Sequence, residues 1–148
     1  MVPTTPMLNV PMFVSFEADA AVLLRDTGPH QETIDNDIHD LVNPPHQRLD
    51  PDHDGVLVFR LTPTIPTGTV HLTMQLNGSQ FFDSSFGPSD SMTRTWHEII
   101  HAHDLNPRTN KLFIKADFSG IAPADTGKAR VELSDFVLSY HANVQVPT

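Results

Sequence analysis

The stretch that decides the fold is TVHLTMQLNGSQFFDSSF, residues 69–86. Its first eight residues alternate strictly between polar and apolar side chains, and the apolar ones are Val70, Leu72, Met74 and Leu76. A period of two places these four side chains on one face of a β-strand. Asn77-Gly78 follows directly, and this dipeptide between alternating runs is the strongest short signal of a β-hairpin. Residues 69–86 therefore predict two antiparallel strands joined by a tight turn.

The same rhythm extends in both directions from the hairpin. The run VLVFRL at 56–61 is apolar on both faces and predicts a central strand, while alternation from Val10 onward predicts a strand near the N-terminus. Residues 93–100 (TRTWHEII) are rich in β-branched and aromatic side chains, and residues 112–118 alternate again. The last element, from Val131 to Tyr140, changes phase at Ser134-Asp135, which predicts a β-bulge.

These signals recur about every ten residues, and prolines separate them, which is the rhythm of a β-sandwich or jelly roll. We therefore predict an all-β, single-domain, antiparallel jelly-roll β-sandwich of about seven to eight strands. Residues 1–11 are expected to form an extended N-terminal arm and residues 12–148 the sandwich domain. Residues 17–54 carry little periodicity, and the part around 34–42 is compatible with one or two turns of helix.

Composition excludes several classes of function. The chain has 148 residues and a formal net charge of −9 at pH 7, so it lacks the basic stripe that phosphate-rich nucleic acid or an anionic membrane requires. It has no cysteine, which excludes a disulfide framework, a thiolate zinc site and a cysteine nucleophile. The N-terminus lacks the basic region of a Sec signal peptide, and no apolar run reaches membrane-spanning length, so a soluble protein is expected.

The segment His97-Glu98-Ile99-Ile100-His101 matches the H-E-x-x-H string of zinc metallopeptidases. On a helix, the two histidines would stand one turn apart and bind zinc, with Glu98 as general base. The surrounding residues favour a strand instead, and on a strand the two histidines lie about 13 Å apart, too far to share one metal ion. Pro107 would also end a helix early. We therefore keep the zinc peptidase only as an alternative.

A second candidate metal site is the stretch Asp50-Pro51-Asp52-His53-Asp54-Gly55. Carboxylates at alternate positions followed by glycine match the first half of a calcium-binding loop, in which Asp50, Asp52 and Asp54 would be ligands. An EF-hand is excluded because its twelfth position, which needs a bidentate glutamate, is Leu61. The alternative is a plain turn that leads into the strand at 56–61.

The aromatic residues are the candidate ligand contacts. Trp96 and Tyr140 are the only tryptophan and tyrosine of the chain, and Phe81 and Phe82 are adjacent, so in a regular strand they face opposite ways. Exposed aromatic rings stack on sugars and anchor protein interfaces. The candidate ligand contacts are Trp96, Phe81, Phe82, Tyr140 and the neighbouring His97, and for Trp96 burial in the core is the favoured interpretation.

The second half of the chain resembles a known family. The segments VHLTMQLNG, RTWHEI, DLNPRTNKLFIKA and VELSDFVLSYHANV, within residues 55–146, are similar in type and order to galactose-binding-like jelly rolls, including many carbohydrate-binding modules. The resemblance implies that Asn77, Gly78, Asn110 and Asp135 shape turns and the bulge. Many members carry a structural calcium near the N-terminal part, and members bind sugars, lipids or proteins.

These observations predict a non-catalytic module that works through surface contact, with carbohydrate or ligand binding as the first hypothesis. It is not expected to be an enzyme, and calcium is the one candidate cofactor, with no organic cofactor expected. Its partner would be a glycan or a protein surface, with neither nucleic acid nor membrane involved. The alternative is a structural assembly subunit of a virion, tail or shell, which would form a homo-oligomer through its terminal arms.

Overall fold

The computed structural model describes residues 7–16, 21–37 and 47–145. Their regular structure consists of ten strands and three short 3-10 turns, at Pro88–Asp90, Ala102–Asp104 and Pro123–Asp125. The strands are β1 Met7–Ser15, β2 Val22–Arg25, β3 Gln31–Asp37, β4 Gln47–Leu49, β5 Gly55–Thr64, β6 Thr69–Leu76, β7 Ser79–Phe86, β8 Arg94–Ile100, β9 Thr109–Ser119 and β10 Arg130–Gln145.

The strands form two antiparallel sheets. Sheet A has the order β1-β10-β5-β8, with β2 and β4 also paired to β10, and sheet B has the order β3-β9-β6-β7. The predicted all-β antiparallel sandwich is thereby confirmed. The described strands outnumber the seven or eight predicted because β2, β3 and β4 arise from the stretch that carries little periodicity.

Two predicted local features are present as expected. At the hairpin between β6 and β7, Asn77 has φ 52° and Gly78 has φ 87°, and two consecutive positive φ angles are the requirement of a type I′ turn. In β10 the register with β5 shifts between Ser134 and Val137, and Asp135 has φ 56°. The β-bulge predicted at Ser134-Asp135 is therefore confirmed.

The core lies between the two sheets and follows from the alternation. Phe59 in β5 is fully buried and stacks on Phe136 of β10, with ring centroids 5.5 Å apart. Leu72 and Met74 of β6 enter from sheet B and are also fully buried. Each such side chain contributes about 1.5–3 kcal/mol by leaving water, which is what holds the two sheets together.

Two parts of the N-terminal half differ from the prediction or extend it. Residues 34–37 are extended within β3, so the helical interpretation is wrong there, while residues 38–42 lie outside the described residues. β3 is an edge strand with mostly exposed side chains, and Ile34 packs against the core, which explains its weak signal. Residues 7–11 of the expected arm lie in β1 and pair with β10, while residues 1–6 lie outside the described part. The division at residue 11 stays a prediction.

Within the described ranges, we find no helix with the length and apolar character needed to cross a membrane.

Candidate binding groove between the two sheets

A groove of about 220 Å³ lies where an edge strand of sheet A contacts an edge strand of sheet B. β7 ends the order of sheet B, β8 ends that of sheet A, and the two strands contact each other. The lining residues are Leu76, Ser79, Gln80, Phe81, Ile99, Ile100, His101 and Asp104. The groove therefore combines an aromatic ring with amide, hydroxyl, imidazole and carboxylate groups.

Phe81 reaches this groove because of a second β-bulge. In the register of β6 with β7, Met74 pairs with Phe82 and Gln75 pairs with Gln80, so Phe81 is the extra residue. A bulge re-aims a side chain away from strict alternation. Phe82 is buried with 3% exposure, whereas Phe81 is half-buried and packs beside the core. The simple prediction that the two rings face opposite sides is therefore corrected by this irregularity.

Asp104 stands at the end of the 3-10 turn that follows β8. Its Oδ1 accepts a hydrogen bond from Ser79 Oγ at 2.8 Å, and its backbone carbonyl accepts one from Asn77 Nδ2 at 2.6 Å. His103 Nε2 lies 3.5 Å from the same Oδ1. These contacts fix the carboxylate relative to the β6–β7 hairpin, so both walls of the groove are held together.

A buried amide supports this arrangement from below. Asn110, with 0% exposure, accepts hydrogen bonds on Oδ1 from Asn77 Nδ2 and from the backbone N–H of Asn106, both at 2.8 Å. Asn77 Oδ1 in turn accepts from the backbone N–H of Lys111 at 2.9 Å. The turn-shaping role that the resemblance implied for Asn77 and Asn110 is therefore visible as a hydrogen-bonded network.

The H-E-x-x-H segment is a strand, as the surrounding residues predicted. His97 is exposed and lies opposite Val58, while His101 follows the end of β8 and its Nδ1 lies 3.4 Å from Asp54 Oδ2. The helical geometry that a zinc peptidase needs is absent from this segment. In the part of the chain that the structure describes, no group of three or more His, Asp or Glu side chains is arranged to hold a metal ion.

Glu98, the would-be general base, occupies the inward-facing side of the edge strand. It pairs in register with Leu57, which is fully buried. Burial raises the pKa of the Glu98 carboxyl above its ordinary value because it penalises the charged form. A charged side chain that points inward on an edge strand also discourages further strands from pairing there.

Most of the predicted ligand contacts lie in the core rather than in the groove. Trp96 pairs with Phe59 and packs edge-on against Phe82 and Phe86, with centroids 5.3 and 6.1 Å apart. Its buried Nε1 has no hydrogen-bond partner among the described residues. Tyr140 has 2% exposure. Of the five candidates, Phe81 alone lines the groove, and the ligand-contact role of the set stays a prediction.

Two of the three carboxylates of the predicted calcium loop, those of Asp50 and Asp54, are engaged in different contacts, and Asp52 contributes its backbone N–H. Asp50 is buried and accepts hydrogen bonds from Asn9 Nδ2 and the backbone N–H of Asp52, and it also contacts His53. Asp54 accepts a bond from the backbone N–H of Ala102 at 3.0 Å. These backbone hydrogen bonds are the largest causes that lower the pKa of Asp50 and of Asp54. Asp50 and Asp54 are thus used to fold the loop, and the described residues hold no metal cluster there.

Sequence reasoning missed Ser79, Gln80 and Asp104. Ser79 and Gln80 could have been proposed from the sequence, because they directly follow the Asn77-Gly78 turn. They therefore lie at the same end of the sandwich as the residues that contact this turn. No one-dimensional pattern marked Asp104, because its place depends on a 3-10 turn that carries it back to the hairpin.

Comparisons with known proteins agree with the sandwich architecture. No protein-family model matches the sequence, and no curated protein is significantly similar to it. Among solved structures, latent PorU from Porphyromonas gingivalis is 15% identical with a TM-score of 0.51, over 94% of this chain and 13% of that one. A chain of the T13 IBDV viral particle is 9% identical with a TM-score of 0.50, over 93% of this chain and 31% of that one.

These likenesses are likenesses of fold. The carbohydrate-binding module CBM36, solved in complex with calcium and xylotriose, is also similar, at 10% identity over 85% of this chain and 97% of that one. Its TM-score of 0.42 is too low to support an argument about the groove. The chain spans only 13% and 31% of the two structures described above, so their activities do not transfer to it.

Proposed function

We propose that this chain is a non-catalytic binding module whose ligand, a neutral carbohydrate, lies in the groove between β7 and β8. The observation that carries the proposal is the chemical make-up of that groove. Phe81 offers an aromatic face, while Gln80 and Asp104 offer planar polar groups that hydrogen-bond in pairs. Sugars present both kinds of surface, since their C–H faces are apolar and their hydroxyls both donate and accept.

The residues that line the groove are held in place by contacts within the chain. Ser79 donates to Asp104, Asn77 ties the same turn to the hairpin, and Phe81 is held by its bulge. A preformed site loses less conformational entropy when it binds. This favours a recognition site over an accidental surface depression.

The charge of the chain restricts the ligand. The formal net charge is −9 at pH 7, and the groove itself contains the carboxylate of Asp104. An acidic polysaccharide would meet repulsion here, so a neutral glycan is the better fit.

The groove also lacks the pair of acids that glycoside hydrolysis requires. Hydrolysis usually needs two carboxyl groups about 5–9.5 Å apart across the scissile bond. Among the described residues that line the groove, Asp104 is the only one with a carboxylate. We therefore propose binding without turnover.

The test is calorimetric titration with a panel of neutral oligosaccharides. Phe81→Ala is expected to weaken binding about tenfold, because a lost aromatic contact is worth about 0.5–1.5 kcal/mol beyond area burial. Phe113→Ala is the matched control, because Phe113 is also half-buried but lies on the outer face of sheet B opposite Gln75. Gln80→Ala and Gln75→Ala form a second matched pair.

The proposal fails if no neutral glycan binds, or if Phe113→Ala weakens binding as much as Phe81→Ala. Repeating the titration with added calcium and with a chelator tests the predicted dependence on Asp50, Asp52 and Asp54. If the affinity for the glycan is the same with calcium and with the chelator, the loop at 50–55 is a purely structural turn.

The second candidate function is assembly with other protein surfaces. One observation favours it, namely an apolar outer face on sheet A that includes the exposed side chains of Phe13, Val137 and Ile99.

A further inference from the structure

The outer face of sheet A carries two rows of side chains that run across all four of its main strands. The register joins Phe13 of β1 through Ser139 and Val56 to Ile99 of β8. The next row joins Ser15 through Val137 and Val58 to His97. Facing residues of paired strands project from the same side of a sheet, so these rows form one continuous patch.

This patch, which we call the apolar face, is exposed. Phe13 is 69% exposed, Ile99 63% and Val137 36%. They are three of the five large exposed hydrophobic side chains among the described residues, so the exposed apolar surface is concentrated here. The outer face of sheet B differs, since it carries the polar pairs His71–Asp83 and Lys115–Asp117. A contiguous apolar patch on one side alone marks an interface.

We infer that the apolar face is where two copies of this chain associate, as a dimer with twofold symmetry. The charge of the chain favours association through this face. Each chain carries a net charge of −9, so two copies repel unless they meet through a neutral surface. The two rows contain neither a carboxylate nor a lysine or arginine, and His97 is their one ionisable residue. A copy of the same chain can approach on this face without placing like charges together.

Opposite charges lie at the two ends of the face. Asp54 directly precedes β5, and Arg60 lies on the same strand beyond Val56 and Val58. Both residues are equally far along the chain from Leu57. Consider a twofold axis that lies in the plane of the face and crosses β5 at right angles at Leu57. Rotation about this axis reverses positions along β5, so it places Arg60 over the partner's Asp54.

That symmetry makes the contact occur twice, because an isologous interface repeats every pair. The Arg60 side chain is 57% exposed and its Nη1 lies 3.7 Å from Asp135 Oδ2, while the Asp54 side chain is 51% exposed. Both side chains are therefore more than half exposed to a second copy, in addition to the contacts of Asp54 with the backbone N–H of Ala102 and with His101. The same axis stacks Val56 on the partner's Val58, so the centre of the interface is apolar and its ends are charged in a complementary way.

The size of the face agrees with a weak, reversible dimer. The two rows cross four strands about 4.8 Å apart and lie about 6.8 Å from each other, so they present a surface of roughly 19 by 14 Å, on the order of 260 Å² in plan. Arg60 and Asp54 extend the contact at its two ends. Specific interfaces at the small end of the range bury somewhat under about 600 Å² per partner. The expected association is therefore one with a micromolar dissociation constant.

The test is sedimentation equilibrium of the whole chain from about 1 µM to about 500 µM, a range that brackets a micromolar dissociation constant. The mass is expected to rise with concentration from 16.4 kDa towards twice that value. Phe13→Asp places a charge in the interface and is expected to raise the dissociation constant at least about tenfold. Arg60→Glu replaces two attractive contacts with two repulsive ones and is expected to raise it several-fold.

Met92→Asp is the matched control, because Met92 is 61% exposed but lies in the loop before β8. It is expected to leave the dissociation constant unchanged. A chain that stays monomeric at every concentration overturns the inference, and so does equal weakening by Met92→Asp and Phe13→Asp. Circular dichroism confirms that each variant is folded. Phe13 lies on the far strand from the groove, so glycan binding that survives Phe13→Asp separates the two proposals.

Discussion

Replacing Asn110 with alanine is the perturbation that tests how the groove is built. The Asn110 amide makes three hydrogen bonds with no exposure to water: two accepted at 2.8 Å, from Asn77 Nδ2 and from the backbone N–H of Asn106, and one donated to the Asn106 carbonyl at 3.0 Å. A typical hydrogen bond contributes about 1 kcal/mol net, and a buried group left without its partner costs about 1–3 kcal/mol. Asn110→Ala is therefore expected to lower the free energy of unfolding by about 2–4 kcal/mol, a large share of the total for a domain of this size.

The assay is equilibrium unfolding in urea, with Asn106→Ala as the matched control. The Asn106 side chain is exposed and donates a single bond of 3.2 Å to the Thr109 carbonyl, so its loss is expected to cost less than about 1 kcal/mol. The reasoning is refuted if Asn110→Ala costs no more than Asn106→Ala. In that case the amide network would not be what holds the hairpin to the turn at 102–104.

Three further predictions concern stability. The Asp50 pKa is lowered in the folded state, so its stabilising effect is present above the unfolded pKa of about 3.9 and is lost as pH falls through the folded value. Asp50→Asn should therefore reduce the drop in melting temperature that acid causes. An equal drop in the variant and the original protein would contradict this. The Glu98 pKa is raised, so stability falls as pH rises above its unfolded pKa. Glu98→Gln should raise the melting temperature at neutral pH and have little effect in acid, and the opposite sign would disprove the burial argument. Gly68→Ala should destabilise more than Gly78→Ala in a urea melt, because both have positive φ but only at Gly68 would a Cβ collide with the Ser119 carbonyl oxygen.

The strands that the sequence predicts well are those with one buried face and one solvent-exposed face. Val70 to Leu76 alternate because sheet B buries one side of β6 and leaves Thr73 and Gln75 outside. β3 was not predicted because it is an edge strand with little apolar surface. Its exposed side chains include Gln31, Glu32 and Asp35, and its backbone forms hydrogen bonds with β9. Pairing with a neighbour fixes such a strand, and pairing is not visible in local periodicity.

The site was harder to predict than the fold. Alternation indicates that one of Phe81 and Phe82 enters the core, but the bulge that re-aims Phe81 depends on the register with β6. The exposed position of Phe13 could have been predicted, because Met12 and Val14 define the inward phase of β1 and Phe13 lies in the opposite phase. The position of Asp104 could not have been predicted, since it depends on a contact with Ser79, which is 25 residues away along the chain.

The most direct test of the account is to map, by amide chemical shifts, where a bound neutral oligosaccharide contacts the chain. The account predicts that shifts concentrate at residues 79–81 and 99–104, on both walls of the groove, and are lost in Phe81→Ala. Shifts confined to the outer face of sheet B, around Phe113 and Gln75, would contradict it.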